Sequence, residues 1–158
     1  MHLETVRHAH LTILQITGFE FNKNYTELVK SMLKPYLFVG ETPSMGRGVF
    51  TRERIPVGIV VELSPVIVMS KDDRVLLDRT TLQDYIFEWG KQKDQCCMAL
   101  GLVSIYNHSY KSNCEYFMDF EDGTILVKTV KVIEAGEELM INYNGDWNDP
   151  AELWFDAK

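Results

Sequence analysis

Cysteine is scarce in this chain: three among 158 residues, two of them adjacent (Cys96 and Cys97). That excludes a disulfide framework, and no CxxC pair is present to suggest zinc, so no metal site is expected and a reducing compartment is inferred. Basic residues are outnumbered, with a formal net charge of −7. Non-specific nucleic-acid binding needs Lys and Arg to displace counterions from phosphates, so no direct nucleic-acid contact is expected. A cationic partner such as a basic peptide suits this balance better. Uninterrupted apolar runs are short, none approaching the roughly 18 residues of a membrane span. The opening MHLETVRHAHLTILQ lacks a basic segment followed by an apolar core. No secretory signal or membrane association is therefore expected, and a cytoplasmic location follows, with a host nucleus left open. Repeats and low-complexity segments are also lacking.

What is present is an ordinary globular composition, 46% hydrophobic and 25% charged. The length suits one domain with its own core. Residues 1–34 read as a partly helical N-terminal extension. Asn24 and Glu27 stand at capping-box spacing, with Leu28 and Met32 on one face until Pro35. Leu3, Val6, His10 and Ile13 mark an earlier helical stripe ending near Gly18. From residue 36 the texture turns to short strands. VFTRERIPVGIVVELSPVIVMS holds β-rich runs broken at Pro56-Val57-Gly58 and at Ser64-Pro65. TLQDYIFEWG, residues 81–90, reads as one short helix: Thr81 and Asp84 at its start, Leu82, Tyr85, Ile86 and Trp89 as a stripe, Gly90 at its end. Residues 115–133 read as a hairpin turning at Glu121-Asp122-Gly123. The class is mainly β, or α+β, with small antiparallel sheets.

Three stretches carry chemistry: Gly46-Arg47-Gly48, Asn107-His108-Ser109, and Gly136-Glu137-Glu138-Leu139 leading to Tyr143. Each alone is weak. Two glycines mark an unusual backbone or a close approach, NHS suits a turn, and His108 alone reads as a satisfied core histidine. The middle stretch is the odd one, because it interrupts an apolar run through Met98, Leu100, Leu102, Val103 and Ile105 with an amide, an imidazole and a hydroxyl.

In this order the three resemble the SET-domain family of protein lysine methyltransferases over about residues 36–147. The chain keeps both glycines, Asn107, His108, Ser109, Asn113, Glu138, Leu139 and Tyr143. It is most similar to the minimal SET proteins of viruses and bacteria, in Asp84-Tyr85-Ile86-Phe87, Met98-Ala99-Leu100-Gly101 and Gly145-Asp146-Trp147. It departs at Ser104 (Arg in the family), Ser112 (Pro) and Asn142 (Asp), and it lacks the cysteine-rich segment that often follows. The resemblance implies a β-clip-like SET fold over 35–147, with a knot-like crossing of the NHS and C-terminal tyrosine segments, and a tail over 148–158. It implies S-adenosylmethionine as cofactor, held by Met45, Gly46, Arg47, Gly48, Asn107 and His108. Tyr143 is the implied catalytic residue. Tyr85, Tyr116 and Trp147 would wall a lysine channel, since aromatic faces stabilise ammonium groups. Trp147, with Trp154 and Phe155, would close that channel in place of the cysteine-rich segment. The implied activity is protein-lysine N-methylation of a basic peptide or histone-like protein. A non-catalytic SET module that binds peptide or a protein partner is the alternative, and Tyr143 argues against it. Homodimerisation and the number of methyl groups added stay open.

Overall fold

The computed structural model describes residues 32–153. The helical readings within residues 1–31, and the roles given to Trp154 and Phe155, lie outside the described residues. The main sheet contains β1 (Met32–Leu33), β4 (Val60–Met69), β5 (Phe87–Trp89), β6 (Gln95–Ala99), β8 (Cys114–Asp119) and β9 (Thr124–Thr129), in the order β5-β6-β4-β9-β8 with β1 beside β4. A second sheet runs β2-β3-β10-β7, from Leu37–Glu41, Arg47–Thr51, Glu138–Ile141 and Asn107–His108. The mainly β class with small sheets holds.

The anticipated hairpin is β8–β9, with Asp119 opposite Thr124. Its turn is held by Asp119 Oδ1, which accepts the N–H groups of Glu121 and Asp122, both at 2.9 Å. Gly123 supplies the positive φ of 62° that a side chain would resist.

Three local expectations fail, each to tertiary context. Met32 is extended rather than helical: it pairs opposite Leu63 and packs on Val60, Leu63 and Leu126, where the edge of β4 needs covering. Ser64-Pro65 does not break its strand. β4 pairs with β9 through Pro65 and with β6 from Val66 onward, and the proline sits at that change of partner, where a missing N–H is tolerated. Residues 81–90 are not one helix. A 3-10 turn covers Thr81–Tyr85, capped by Thr80, and Phe87–Trp89 then joins β6 as a strand. The stripe finds its burial there: Trp89 is buried within the sheet, whereas nothing in the 3-10 turn is. A helix not anticipated, α1 (Lys71–Leu77), begins at a Ser70–Asp73 capping box whose spacing is visible in the sequence.

The core joins both sheets through Val49, Val61, Val103, Ile125, Val127, Leu139 and Ile141, all fully buried. Two buried polar side chains tie segments together through their hydrogen bonds. Thr129 Oγ1 donates to the Pro56 carbonyl at 2.7 Å and accepts from Ile59 N–H at 3.0 Å. Asn113 fastens the loop after NHS to β10: Oδ1 accepts from Met140 N–H at 2.8 Å, and Nδ2 donates to the Glu138 carbonyl at 2.8 Å. Asn113→Ala should therefore lower unfolding free energy by about 2–3 kcal/mol, because it orphans a buried donor and acceptor together. Chemical denaturation checks this; a loss below about 1 kcal/mol would mean that water replaces the amide.

Candidate active site

Residues sixty positions apart meet at the end of the second sheet. β7 pairs with β10 in parallel, Asn107 beside Met140 and His108 beside Ile141, and Ser109 N–H donates to the Ile141 carbonyl at 2.9 Å. β10 also pairs with β3 antiparallel, Leu139 opposite Val49. The GRG, NHS and GEEL stretches are thus neighbouring strands of one sheet.

The Asn107 amide binds within the protein. Nδ2 donates to Glu138 Oε1 at 2.7 Å and to the Arg47 carbonyl at 3.1 Å, so both amide hydrogens are engaged. This side chain ties the three strands together. Gly48 leaves room for this pair, since a Cβ there would overlap Glu138 Oε1 and come within 3.0 Å of Asn107 Nδ2. Gly46 serves differently. It closes the β2–β3 turn at φ 70°, with open space where a side chain would point. Met45 N–H donates to Thr42 Oγ1 at 2.9 Å, and the Arg47 guanidinium donates to the Tyr85 hydroxyl at 3.3 Å.

His108 Nδ1 accepts from Tyr143 N–H at 3.2 Å. Nδ1 is therefore unprotonated and the neutral ring carries its proton on Nε2, which is buried with no hydrogen-bond partner among the described residues. Burial holds the imidazole pKa below its ordinary value. The ring packs edge-on against Tyr110 and lies 5.2 Å from the Tyr143 ring. Tyr143 donates its hydroxyl proton to the Tyr106 carbonyl at 2.8 Å. Its pKa is pushed up to about 12 by burial, then by Glu138 and Asp84, so the phenol stays neutral at physiological pH. With its proton committed to that carbonyl, the hydroxyl meets any further partner as an acceptor.

Tyr116 stands beside it, donating to the Tyr143 carbonyl at 3.3 Å and meeting Phe87 edge-on. Burial, followed by Glu88 and other neighbours, pushes its pKa up to about 12 as well. Tyr85 follows Asp84, whose charge reaches Tyr143, and its hydroxyl touches the GRG strand. Trp147 lies apart from these contacts: the Lys131 ammonium sits 5.3 Å above its ring. Its carbonyl accepts from Ser112, whose hydroxyl also faces the Cys114 carbonyl, both at 2.9 Å.

Two departures from the expected motif have local causes. Proline at 112 would have no hydroxyl to reach the Trp147 backbone. Asn142 donates to the Asp149 carbonyl at 2.7 Å, which an aspartate could not do when ionised. Asn144 donates to the Ala151 carbonyl at 2.6 Å, and Leu153 N–H to the Tyr110 hydroxyl at 3.2 Å. The C-terminal segment is thereby laid along the NHS and Tyr143 segments. Sequence reasoning missed Glu138 as the partner of Asn107, Phe87 as a packing partner of Tyr116, and Tyr106 as the acceptor for Tyr143. Glu138 had a signal, its fixed place before Leu139. The Tyr106 contact uses a backbone carbonyl, which every residue has, so no residue type announced it.

This small-sheet domain, with an NHS strand set beside the segment leading to a tyrosine, has the arrangement that the motif order implied. Residues 46–144 match the SET domain, and the chain belongs to that family. A similar curated protein is a histone-lysine N-methyltransferase, H3 lysine-37 specific, of Schizosaccharomyces pombe, 34% identical over 126 residues that cover 79% of this chain and 80% of the relative. Among solved structures, a candidate histone methyltransferase of Plasmodium falciparum is 22% identical with a TM-score of 0.54, covering 73% of this chain and 98% of that one. A humanized mutant of the Chaetomium thermophilum Polycomb Repressive Complex 2 shares the fold at 23% identity and a TM-score of 0.60, over 71% of this chain and 15% of that one. The chain is accordingly a protein-lysine N-methyltransferase.

Two outcomes test the site. Gly48→Ala should separate Asn107 from Glu138 and lower the melting temperature, because the added Cβ overlaps the Glu138 carboxyl and displaces it from the Asn107 amide. An unchanged melting temperature would show that the pair can shift. His108 has a depressed folded-state pKa, so the unfolded chain takes up its proton first as pH falls below about 6.5, and stability is lost from there downward. His108→Asn keeps an acceptor for Tyr143 N–H without titrating, so melting curves at pH 5–7 should show a shallower acid loss in the variant. Parallel pH dependences would contradict the assignment.

Proposed function

We propose that the enzyme transfers a methyl group from S-adenosylmethionine to a lysine in a basic peptide or histone-like tail, with Tyr143 orienting the lysine amine. The observation that carries this reading is the Tyr143 hydroxyl, held by the Tyr106 carbonyl, beside the strand that joins NHS to GRG.

The residues present fit the cofactor. The buried Nε2–H of His108 lacks an acceptor that a polar ligand would provide, and the Gly46 turn leaves open space beside the Met45–Arg47 backbone. S-adenosylmethionine supplies, when bound, a methyl group already activated by its sulfonium. The chain's part is to position and to exclude water. Asn107 orders the Arg47 backbone. His108 holds Tyr143 through its backbone N–H while turning Nε2–H toward the cofactor side. The C-terminal segment from Asp149 to Leu153 closes the site over Tyr110.

Tyr143 acts as an acceptor, because its own proton is directed to Tyr106. An amine N–H pointing at this oxygen leaves the nitrogen lone pair directed elsewhere, toward the methyl donor. With a pKa near 12 the phenol is not a base at neutral pH. The lysine ammonium, whose ordinary pKa is near 10.4, is expected to lose its proton through water as it enters a desolvated channel. Tyr85 and Tyr116 wall that channel, Phe87 supports Tyr116, and Trp147 stands at the outer rim against Lys131.

The preference for a basic peptide is supported by the acidic groups around these tyrosines. Asp84 acts on Tyr143 and Glu88 on Tyr116, and Glu115 lies near Asp146. The S. pombe relative's histone specificity supports a histone-like tail as the first substrate to try.

Titration calorimetry with S-adenosylmethionine and a labelled-methyl assay on histone-tail peptides test the reading. Tyr143→Phe should bind the cofactor like wild type and lose about 100-fold in turnover, the scale expected when a reactant loses its alignment. Wild-type turnover in the variant would refute the role of Tyr143.

A further inference from the structure

Glu62 is the one acidic residue among the described residues that is fully buried, and it lies in the core rather than in the cleft. Its Oε1 accepts three hydrogen bonds: from the Ser64 hydroxyl at 2.6 Å, Leu102 N–H at 2.6 Å and Val103 N–H at 3.2 Å. Leu102 and Val103 open the 3-10 turn Val103–Ile105, whose own N-cap residue offers no side-chain cap. Glu62 caps that turn from a strand forty residues away. Gly101 permits the approach, since a Cβ there would overlap Glu62 Oε1 and Ser64 Oγ. The turn leads directly to Tyr106, only 1% exposed, whose carbonyl receives the Tyr143 hydroxyl.

We propose that Glu62 is a positioning residue for methyl transfer: as a buried neutral acid it clamps the turn at Leu102–Val103 and so fixes the Tyr106 carbonyl that aims Tyr143. The proposal rests on the reading of Tyr143 as the residue that orients the lysine amine.

Several observations favour the neutral acid. The ion pairs among the described residues are Arg54–Glu134, Arg74–Glu88 and Lys93–Glu88, none of which reaches Glu62. A buried carboxylate without a cation is costly, and protonation relieves it. Position 104, where the family motif has arginine, holds Ser104, whose hydroxyl is buried without a partner and brings no charge. Because Oε1 already accepts three donors, the proton belongs on Oε2, and the equally buried Tyr106 hydroxyl interacts with the same carboxyl. The groups facing Glu62 supply no cation either. The partner strands place Leu33 and Val127 opposite it, and Ser64 follows on its own strand. Tyr106 faces it from the turn, with Cys114 and Tyr36 acting on Tyr106 beyond. Burial raises the Glu62 pKa above its ordinary 4.5, against the lowering effect of its hydrogen bonds.

The sign of the pH effect follows. A raised folded-state pKa gives a contribution that is full below about 4.5 and is lost as pH rises toward the folded value. Glutamine keeps the acceptor and does not titrate, so it escapes that loss.

The experiment compares wild type, Glu62→Gln, Glu62→Met and Tyr143→Phe by melting at pH 5 and pH 8, cofactor calorimetry and single-turnover methylation of a lysine peptide. Glu62→Gln should keep turnover, and its melting temperature relative to wild type should rise from pH 5 to pH 8. Glu62→Met, of similar length but unable to accept, should bind cofactor normally and lose about tenfold or more in turnover, a split that general destabilisation would not produce. Turnover at wild-type level in Glu62→Met overturns the proposal. So does a Glu62→Gln variant that loses turnover or gains no relative stability at pH 8, a result readable even if Glu62→Met fails to fold. An active Tyr143→Phe enzyme would refute the Tyr143 reading separately, leaving the pH behaviour of Glu62→Gln to judge the clamp.

Discussion

The parallel pairing of Asn107–His108 with Met140–Ile141 is the interaction on which the site depends. Two short, non-consecutive strands have little cohesion of their own, because few ladder bonds join them and loop closure between them is unfavourable. The pairing persists because it is surrounded. Asn113 ties the loop beyond it to the β10 backbone, Asn107 and Glu138 join it to β3, and Leu139 and Ile141 anchor it in the core. His108 then extends the contact past the end of β10 by accepting Tyr143 N–H. The NHS strand and the Tyr143 segment are in this way coupled through one imidazole.

Polar groups make this assembly specific. A core of Val, Ile and Leu tolerates small slips, whereas amides and carboxyls must find partners or lose stability. Asn107 and Asn113 each use a short side chain to join segments far apart in sequence, and Asn142 uses both ends of its own to fold the chain from Tyr143 to Asp149. Glu62 does the same from the opposite direction, through the turn that carries Tyr106. The tyrosine at the centre is therefore held at its backbone by His108 and at its hydroxyl by Tyr106, two contacts that reach it along separate paths.

Much of this was legible before any coordinates. The hairpin at Glu121–Gly123 followed from turn chemistry, and the polar interruption at Asn107–Ser109 singled out the segment that reaches the site. The reading failed where local pattern and tertiary need diverged. Ile86 to Trp89 satisfies a helical stripe as well as a strand, and only the open edge of β6 decides between them. Pro65 is a strand breaker in isolation, yet it is harmless where β4 changes partner. The spacing of Ser70 and Asp73 announces α1, but the helix buries none of its residues and so carries no apolar stripe to match.

By itself the sequence determined the family and the three motif stretches, because side-chain chemistry and order are local properties of the chain. Tertiary structure alone decided what those side chains touch. The Asn107 amide turns inward to Arg47 and Glu138, Ser112 and Asn142 secure the C-terminal segment, and Tyr143 is aimed by a backbone carbonyl. A carbonyl has no signature in a sequence, and a buried carboxyl such as Glu62 looks like any surface glutamate until the fold removes its water.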